Sequence, residues 1–162
     1  AFVESALGIS KSFGDLVGPA LFAVLMGISR VIYGKYGDKM DLEKTMLYSS
    51  ILCIIGYLTV SLSSSSVVSL IGVAVCGFSV GILWPGTYST ASASIKGGGN
   101  TMFSFLALGG DLGCASGPTL VGIAASAFGD NLKTGILTAT IFPVVLTVLM
   151  LMKLGMRKKT KQ

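Results

Sequence analysis

Asp111 is the one ionisable residue between positions 101 and 128, a stretch otherwise made of apolar and small residues. A carboxylate in such surroundings can exchange a proton or bind a cation, because removal from water favours its neutral form. It is also expensive to expose to lipid, so it is expected to face protein or a water-filled cavity. On a helical wheel at about 100° per residue, Asn100 and Ser104 fall within about 20° of Asp111 and Pro118 continues the line. Gly109, Gly113 and Gly117 occupy a narrow arc roughly opposite. One face therefore carries a polar stripe suited to a solute or ion, and the other suits close helix contact. Gly77 and Gly81 repeat the small-residue spacing. Trp84 and Tyr88, beside Pro85, offer rings for stacking on a solute such as a sugar, or form an interfacial aromatic pair. Glu4 is either a second coupling carboxylate or an interfacial acid.

Enzymatic chemistry finds no comparable set. The chain has no histidine, which removes the commonest general base and the commonest metal ligand. Cys53, Cys76 and Cys114 each lie inside an apolar run with no CxxC spacing and read as packing residues, not as a metal or redox site. No paired nucleophile and base can be assembled. The expectation is a non-enzyme without metal or cofactor.

These residues need elements to hold them. Apolar residues make up 52% of the chain, charged residues only 12%, and mean hydropathy is +0.81. So few charges cannot cover a soluble globule, so an all-α, multi-pass integral membrane protein is expected. Apolar runs of spanning length, about 20 residues, place helices at 16–33, 45–62, 67–95, 101–128 and 136–152, the last with Pro143 near its middle. Residues 1–9 look like the last turns of one more helix, and the N-terminus is expected to be a truncation. Residues 1–152 thus form one half-bundle, followed by a basic tail, 153–162. From the start of its run, Asp111 lies about 15 Å deep at 1.5 Å per residue, near the midplane of a roughly 30 Å core.

The net charge of +5 is no nucleic-acid footprint. Arg30, Lys35, Lys39, Lys44, Lys96, Lys153, Arg157, Lys158, Lys159 and Lys161 fall on alternate connections and the tail, against Lys11 and Lys133 on the other side. The excess of basic residues marks the cytoplasmic side, so the C-terminus is expected in the cytoplasm and the chain in the cell membrane, inner or plasma.

The connection Gly34-Lys35-Tyr36-Gly37-Asp38-Lys39-Met40-Asp41-Leu42-Glu43-Lys44 resembles the short GxxxD(R/K)xG(R/K)(R/K) loop of major facilitator superfamily (MFS) transporters, found between the second and third spans of each half. Gly34, Asp38 and Lys39 match; Asp41 replaces the usual Gly, and Glu43 interrupts the basic run. Physically, Asp38 is placed to favour the next helix N-terminus and to pair with Arg30, while Gly34 lets the turn tighten. The resemblance implies a C-terminal half: the remnant as the end of helix seven, and five full spans as helices eight to twelve. It implies a cytoplasmic gate at Arg30, Gly34, Asp38 and Lys39. It further implies a cavity lined partly by helices seven, eight, ten and eleven, which carry Glu4, Arg30, Trp84 and Asp111. The expected function is secondary transport, as a symporter or other permease, of a sugar or other small polar metabolite by alternating access, with H+ or Na+ coupling or uniport. The other six-helix half, in the same polypeptide or separately encoded, is the expected partner. The alternative is a non-transporting membrane subunit, a scaffold or sensor that oligomerises through the glycine faces.

Overall fold

Large apolar side chains point outward in this protein and small ones inward. The computed structural model describes residues 11–159, with side chains from 16 to 157. Among the described residues all regular structure is helical: α1 (Lys11–Tyr36), a 3-10 turn (Gly37–Lys39), α2 (Leu42–Leu62), α3 (Ser66–Ser94), α4 (Gly99–Ala127), α5 (Leu132–Ala139) and α6 (Ile141–Lys159). The truncated helix expected at 1–9, and Glu4 with it, lie outside the described residues.

α3 is the central helix, packed on α1 along one face and α2 along another. A Cβ on Gly81 would come within 2.7 Å of both the Met26 carbonyl oxygen and Ser29 Cβ, and one on Gly77 would meet the Phe22 backbone of α1. Toward α2, a Cβ on Gly72 would lie 2.8 Å from Val60 Cγ2, and one on Gly56 would lie 2.6 Å from Cys76 Sγ. Backbones this close are the usual way membrane helices associate, since lipid offers apolar side chains no reason to hide. The interior is accordingly Met46, Ser50, Cys53, Cys76, Ser79 and glycine, while Val24, Ile55, Phe105 and Leu112 are more than half exposed. A soluble domain shows the reverse.

Two of the most deeply buried hydroxyls return to their own helices. Ser50 Oγ donates to the Leu47 carbonyl at 2.8 Å and Ser79 Oγ to that of Cys76 at 2.8 Å. Thr147 Oγ1 of α6 donates to Ser50 Oγ at 2.9 Å, which ties α6 to α2.

Helix ends follow local chemistry. Asp41 caps α2 by accepting from the Lys44 backbone N–H, and Asn131 caps α5 by accepting from that of Lys133. Gly97 and Gly129 adopt positive φ (82° and 72°) in the connections that follow α3 and α4, a backbone that a side chain disfavours. Pro85 lies within α3, which runs on to Ser94.

Two expectations about spans change. Among the described residues four helical segments are long and apolar enough to cross a membrane: Leu16–Lys39, Leu42–Leu62, Ser66–Ser94 and Leu132–Arg157. α4 has the length, at 29 residues, but Asp111, Asn100, its glycines and Pro118 dilute its hydropathy. The run expected as a single helix at 136–152 is two helices that meet at Thr140. Pro143 causes the break, having no N–H to return to the carbonyl of Ala139. Thr140 N–H instead bonds Leu137 at 3.1 Å, and Val144 N–H restarts the ladder on Thr140 at 3.2 Å.

Candidate functional site

α4 holds the candidate cavity residues and is the least covered helix. It packs chiefly on α5, where a Cβ on Gly135 would press on the Val121 carbonyl and sit 3.1 Å from Val121 Cγ1. Its link to α3 includes aromatic rings. Trp84 and Tyr88 lie 4.8 Å apart at 52°, and Tyr88 stacks on Phe103 of α4 at 5.7 Å and 10°. The Trp84 ring also lies over Gly110, where a Cβ would come 2.5 Å from Cζ3. Trp84 remains 46% exposed, so the ring is both held and presented.

Asn100, Ser104 and Asp111 share a face of the continuous helix, as their spacing predicted, and all three are exposed. Ser104 Oγ donates to the Asn100 carbonyl at 3.0 Å, and both residues border an open groove of about 370 Å³ with Phe105 and Leu108. Asp111 lies beyond that groove, about 18 Å along α4 from Gly99 at 1.5 Å per residue. It makes no hydrogen bond or ion pair among the described residues. Trp84 packs on Gly110, the residue before Asp111 in sequence; Asn100 and Ser104 lie further along the helix.

Gly109, Gly113 and Gly117, expected to pack a neighbour, do not do so among the described residues. A Cβ on any of them meets nothing within 4 Å, because α4 turns Gly110 and Phe103 toward α3 and leaves this arc open. Gly77 and Gly81 do pack, against α1. Cys114, expected to be buried packing, is exposed on α4.

The charged connection also differs from expectation. Arg30 and Asp38 form no ion pair among the described residues, and Asp41, not Asp38, caps α2. Gly34 belongs to α1, and the turn forms one residue after Tyr36, at Gly37, whose Cα packs on the Tyr33 ring (a Cβ would lie 3.0 Å from it). The acids of the connection pair with the end of α6. Arg157 Nη1 reaches Asp41 Oδ1 at 3.3 Å and Glu43 Oε2 at 3.1 Å, while Lys153 Nζ lies 3.3 Å from Glu43 Oε1. Burial pushes the Asp41 carboxyl up, but the Lys44 N–H and ammonium and the Arg157 guanidinium outweigh it and hold the carboxyl below its usual value. A groove of about 590 Å³ lies here, bordered by Asp38, Lys39, Asp41, Ser89 and Arg157. Tyr33 Oη donates to Ser89 Oγ at 3.2 Å nearby and joins α1 to α3.

Sequence reasoning missed Gly110, Phe103, Glu43, Lys153 and Arg157. Gly110 could have been found beside Gly109, but only the rotation of α4 distinguishes the two. The ion pairs join residues more than a hundred positions apart, which one sequence does not couple. Among the described residues no three His, Cys, Asp or Glu side chains converge as a metal centre would require.

Bilayer-length helices with apolar exteriors and glycine-serine interiors define a multi-pass integral membrane protein. On the flank of α4, Asn100, Ser104 and Asp111 are exposed, and the Trp84 ring lies against Gly110. The chain belongs to the Major Facilitator Superfamily, whose model matches residues 1–162. Members of this family are transporters of small-molecule solutes across lipid bilayers, not enzymes. Neither a curated protein nor a solved structure matches the chain.

Proposed function

We propose that this chain is the C-terminal half of a secondary transporter that moves a small polar solute by alternating access, with Asp111 as its coupling carboxylate. In this reading α4 spans the bilayer as a fifth helix, and its polar face closes the cavity against the other six-helix half. Trp84 stacks on the solute, with Asn100 and Ser104 toward the cytoplasmic mouth. Glu4, outside the described residues, supplies a second carboxylate on helix seven. Arg30, Gly34, Asp38 and Lys39 form the cytoplasmic gate, and the basic C-terminus faces the cytoplasm of the cell membrane. The coupling ion in this reading is H+ or Na+, either of which a carboxylate can bind.

The observation that carries this reading is the exposed Asp111 at mid-helix in an otherwise lipid-suited bundle. Lipid cannot cover it cheaply, so water, solute or a polar partner must. The test is Asp111→Asn in the complete transporter, reconstituted in vesicles. Gradient-driven accumulation is expected to be lost while solute exchange persists. Accumulation at the wild-type level removes the coupling role.

One observation favours a second reading. The open arc of Gly109, Gly113 and Gly117 suits a non-transporting subunit that self-associates through α4. Gly113→Cys separates the two: cross-linking between identical chains supports self-association, and cross-linking to the other half supports the transporter.

A further inference from the structure

Where α2 and α3 press closest, each contributes a thiol that the transport reading does not use. Cys53 and Cys76 are both buried, at 3% and 8% exposure. Gly56, one turn from Cys53, and Gly72, one turn from Cys76, bring the two backbones together around them. A Cβ on Gly56 would lie only 2.6 Å from Cys76 Sγ. Cys76 Sγ stands 4.0 Å from the Cys53 carbonyl oxygen, and the two thiols interact directly across the helix contact. At 1.5 Å per residue, Cys53 is about 14 Å from the Leu62 end of α2 and Cys76 about 15 Å from the Ser66 end of α3. The pair therefore sits near the middle of a roughly 30 Å apolar core. No Asp, Glu, Lys or Arg occurs between residues 45 and 95. Two soft donors thus meet at one point in surroundings that hold no charge.

We propose that Cys53 and Cys76 form a two-coordinate site for the mercuric ion, Hg2+. Soft metal ions select thiolate ligands, and binding releases the thiol protons. The ion arrives as neutral mercuric chloride and exchanges two chlorides for two sulfurs. HgCl2 and two thiols give the bis-thiolate, two protons and two chloride ions, with no change of oxidation state. The bound complex is neutral, and that property selects the ion. Charge is costly at this depth unless something offsets it. Cu+ or Ag+ on two thiolates would leave a net negative charge, and α2 and α3 carry no basic residue between 45 and 95 to balance it. Zn2+ takes four donors in a closed protein site. No third His, Cys, Asp or Glu side chain converges on the pair among the described residues. A linear divalent ion needs only the two sulfurs, and once bound it ties α2 to α3 covalently at the level of their closest approach.

The test is mercuric chloride added to the complete protein in detergent, followed by excess glutathione and mass spectrometry. Trypsin has no cleavage site between 45 and 95, so one fragment, 45–96, contains both thiols and excludes the exposed Cys114. That fragment is expected to carry one mercury in place of two protons. Cys53→Ala and Cys76→Ala each leave a single thiol there. Each is expected to give up mercury to glutathione at least about a hundredfold more readily, because two donors held side by side act as one chelate. The fragment mass from the unmutated protein needs no variant, so it decides alone if the alanine variants do not fold. Mercury absent from fragment 45–96, mercury gained there with loss of one proton only, or retention in a folded single variant equal to the unmutated protein overturns the proposal.

Discussion

Gly77 and Gly113 both belong to small-residue patterns of the same spacing, yet a methyl group added to each is expected to act in opposite directions. In Gly77→Ala the new Cβ lies 2.8 Å from Phe22 Cα and 3.0 Å from Phe22 C. Ordinary contact begins near 3.4 Å and the Phe22 carbonyl oxygen lies closer still, so α1 must retreat by more than about 0.6 Å, and backbone cannot move aside as a side-chain tip does. Overpacking of this kind costs about 1–3 kcal/mol. In Gly113→Ala the Cβ meets nothing within 4 Å. There the only change is the helix preference of alanine over glycine, a gain of about 0.5–1 kcal/mol. Both glycines are helical, so the alanine preference cancels, and the two variants should differ by the overpacking cost alone, about 1–3 kcal/mol. Unfolding by SDS titration in mixed micelles, followed by the helical circular-dichroism signal, measures the difference directly. Equal stability of the two, or a Gly113→Ala variant weaker than Gly77→Ala, would refute the close α1–α3 approach and the open α4 arc together.

Other expectations rest on single contacts. A double-mutant cycle with Ser50→Ala and Thr147→Val should give a coupling of about 0.6 kcal/mol, typical of hydrogen bonds between membrane helices. Asp41 has a depressed pKa, so its charge stabilises the fold above the unfolded value of about 3.9. That contribution is lost as pH falls through the lower folded value. Acid unfolding of Asp41→Asn, compared with the parent, should lack this limb. High salt should shrink the difference, because the pairs are partly exposed. Trp84 is the sole tryptophan, so its fluorescence reports the α3–α4 contact. Gly110→Val should displace the ring and shift its emission, while Gly113→Val should leave the spectrum unchanged.

Four helices were legible because a bilayer demands long apolar runs, and 16–33, 45–62, 67–95 and 101–128 each fall within a few residues of an observed helix, whereas the run at 136–152 is two helices. The ends were less legible. Leu42 starts its helix on the Asp41 cap and Tyr36 ends its helix at the turn that follows, neither of which hydropathy registers. Pro143 was visible, but the helix breaks three residues earlier, where the lost hydrogen bond falls. Small-residue spacing revealed that α3 and α4 each have a bare face. It did not reveal that one face has a partner among the described residues and the other has none, since neighbours are set by packing in three dimensions. Gly56 and Gly72 carry no repeat at all, yet they set the α2–α3 distance. The polar stripe of α4 was legible from periodicity; the approach of Trp84 through Gly110 was not.

The modest hydropathy of α4 bears on how the chain enters the bilayer during synthesis. An aspartate at the centre of a spanning segment costs about 2.5–3.5 kcal/mol at insertion. The α5–α6 segment that follows is far more apolar, and its Gly135 fits against Val121 of α4. α4 is therefore poorly suited to insert on its own and well suited to insert as a pair with the segment made after it. With α4 as the fifth span proposed above, a side chain added at Gly135 is expected to act first on topology, leaving Asp111 outside the bilayer before any folded bundle exists to be destabilised.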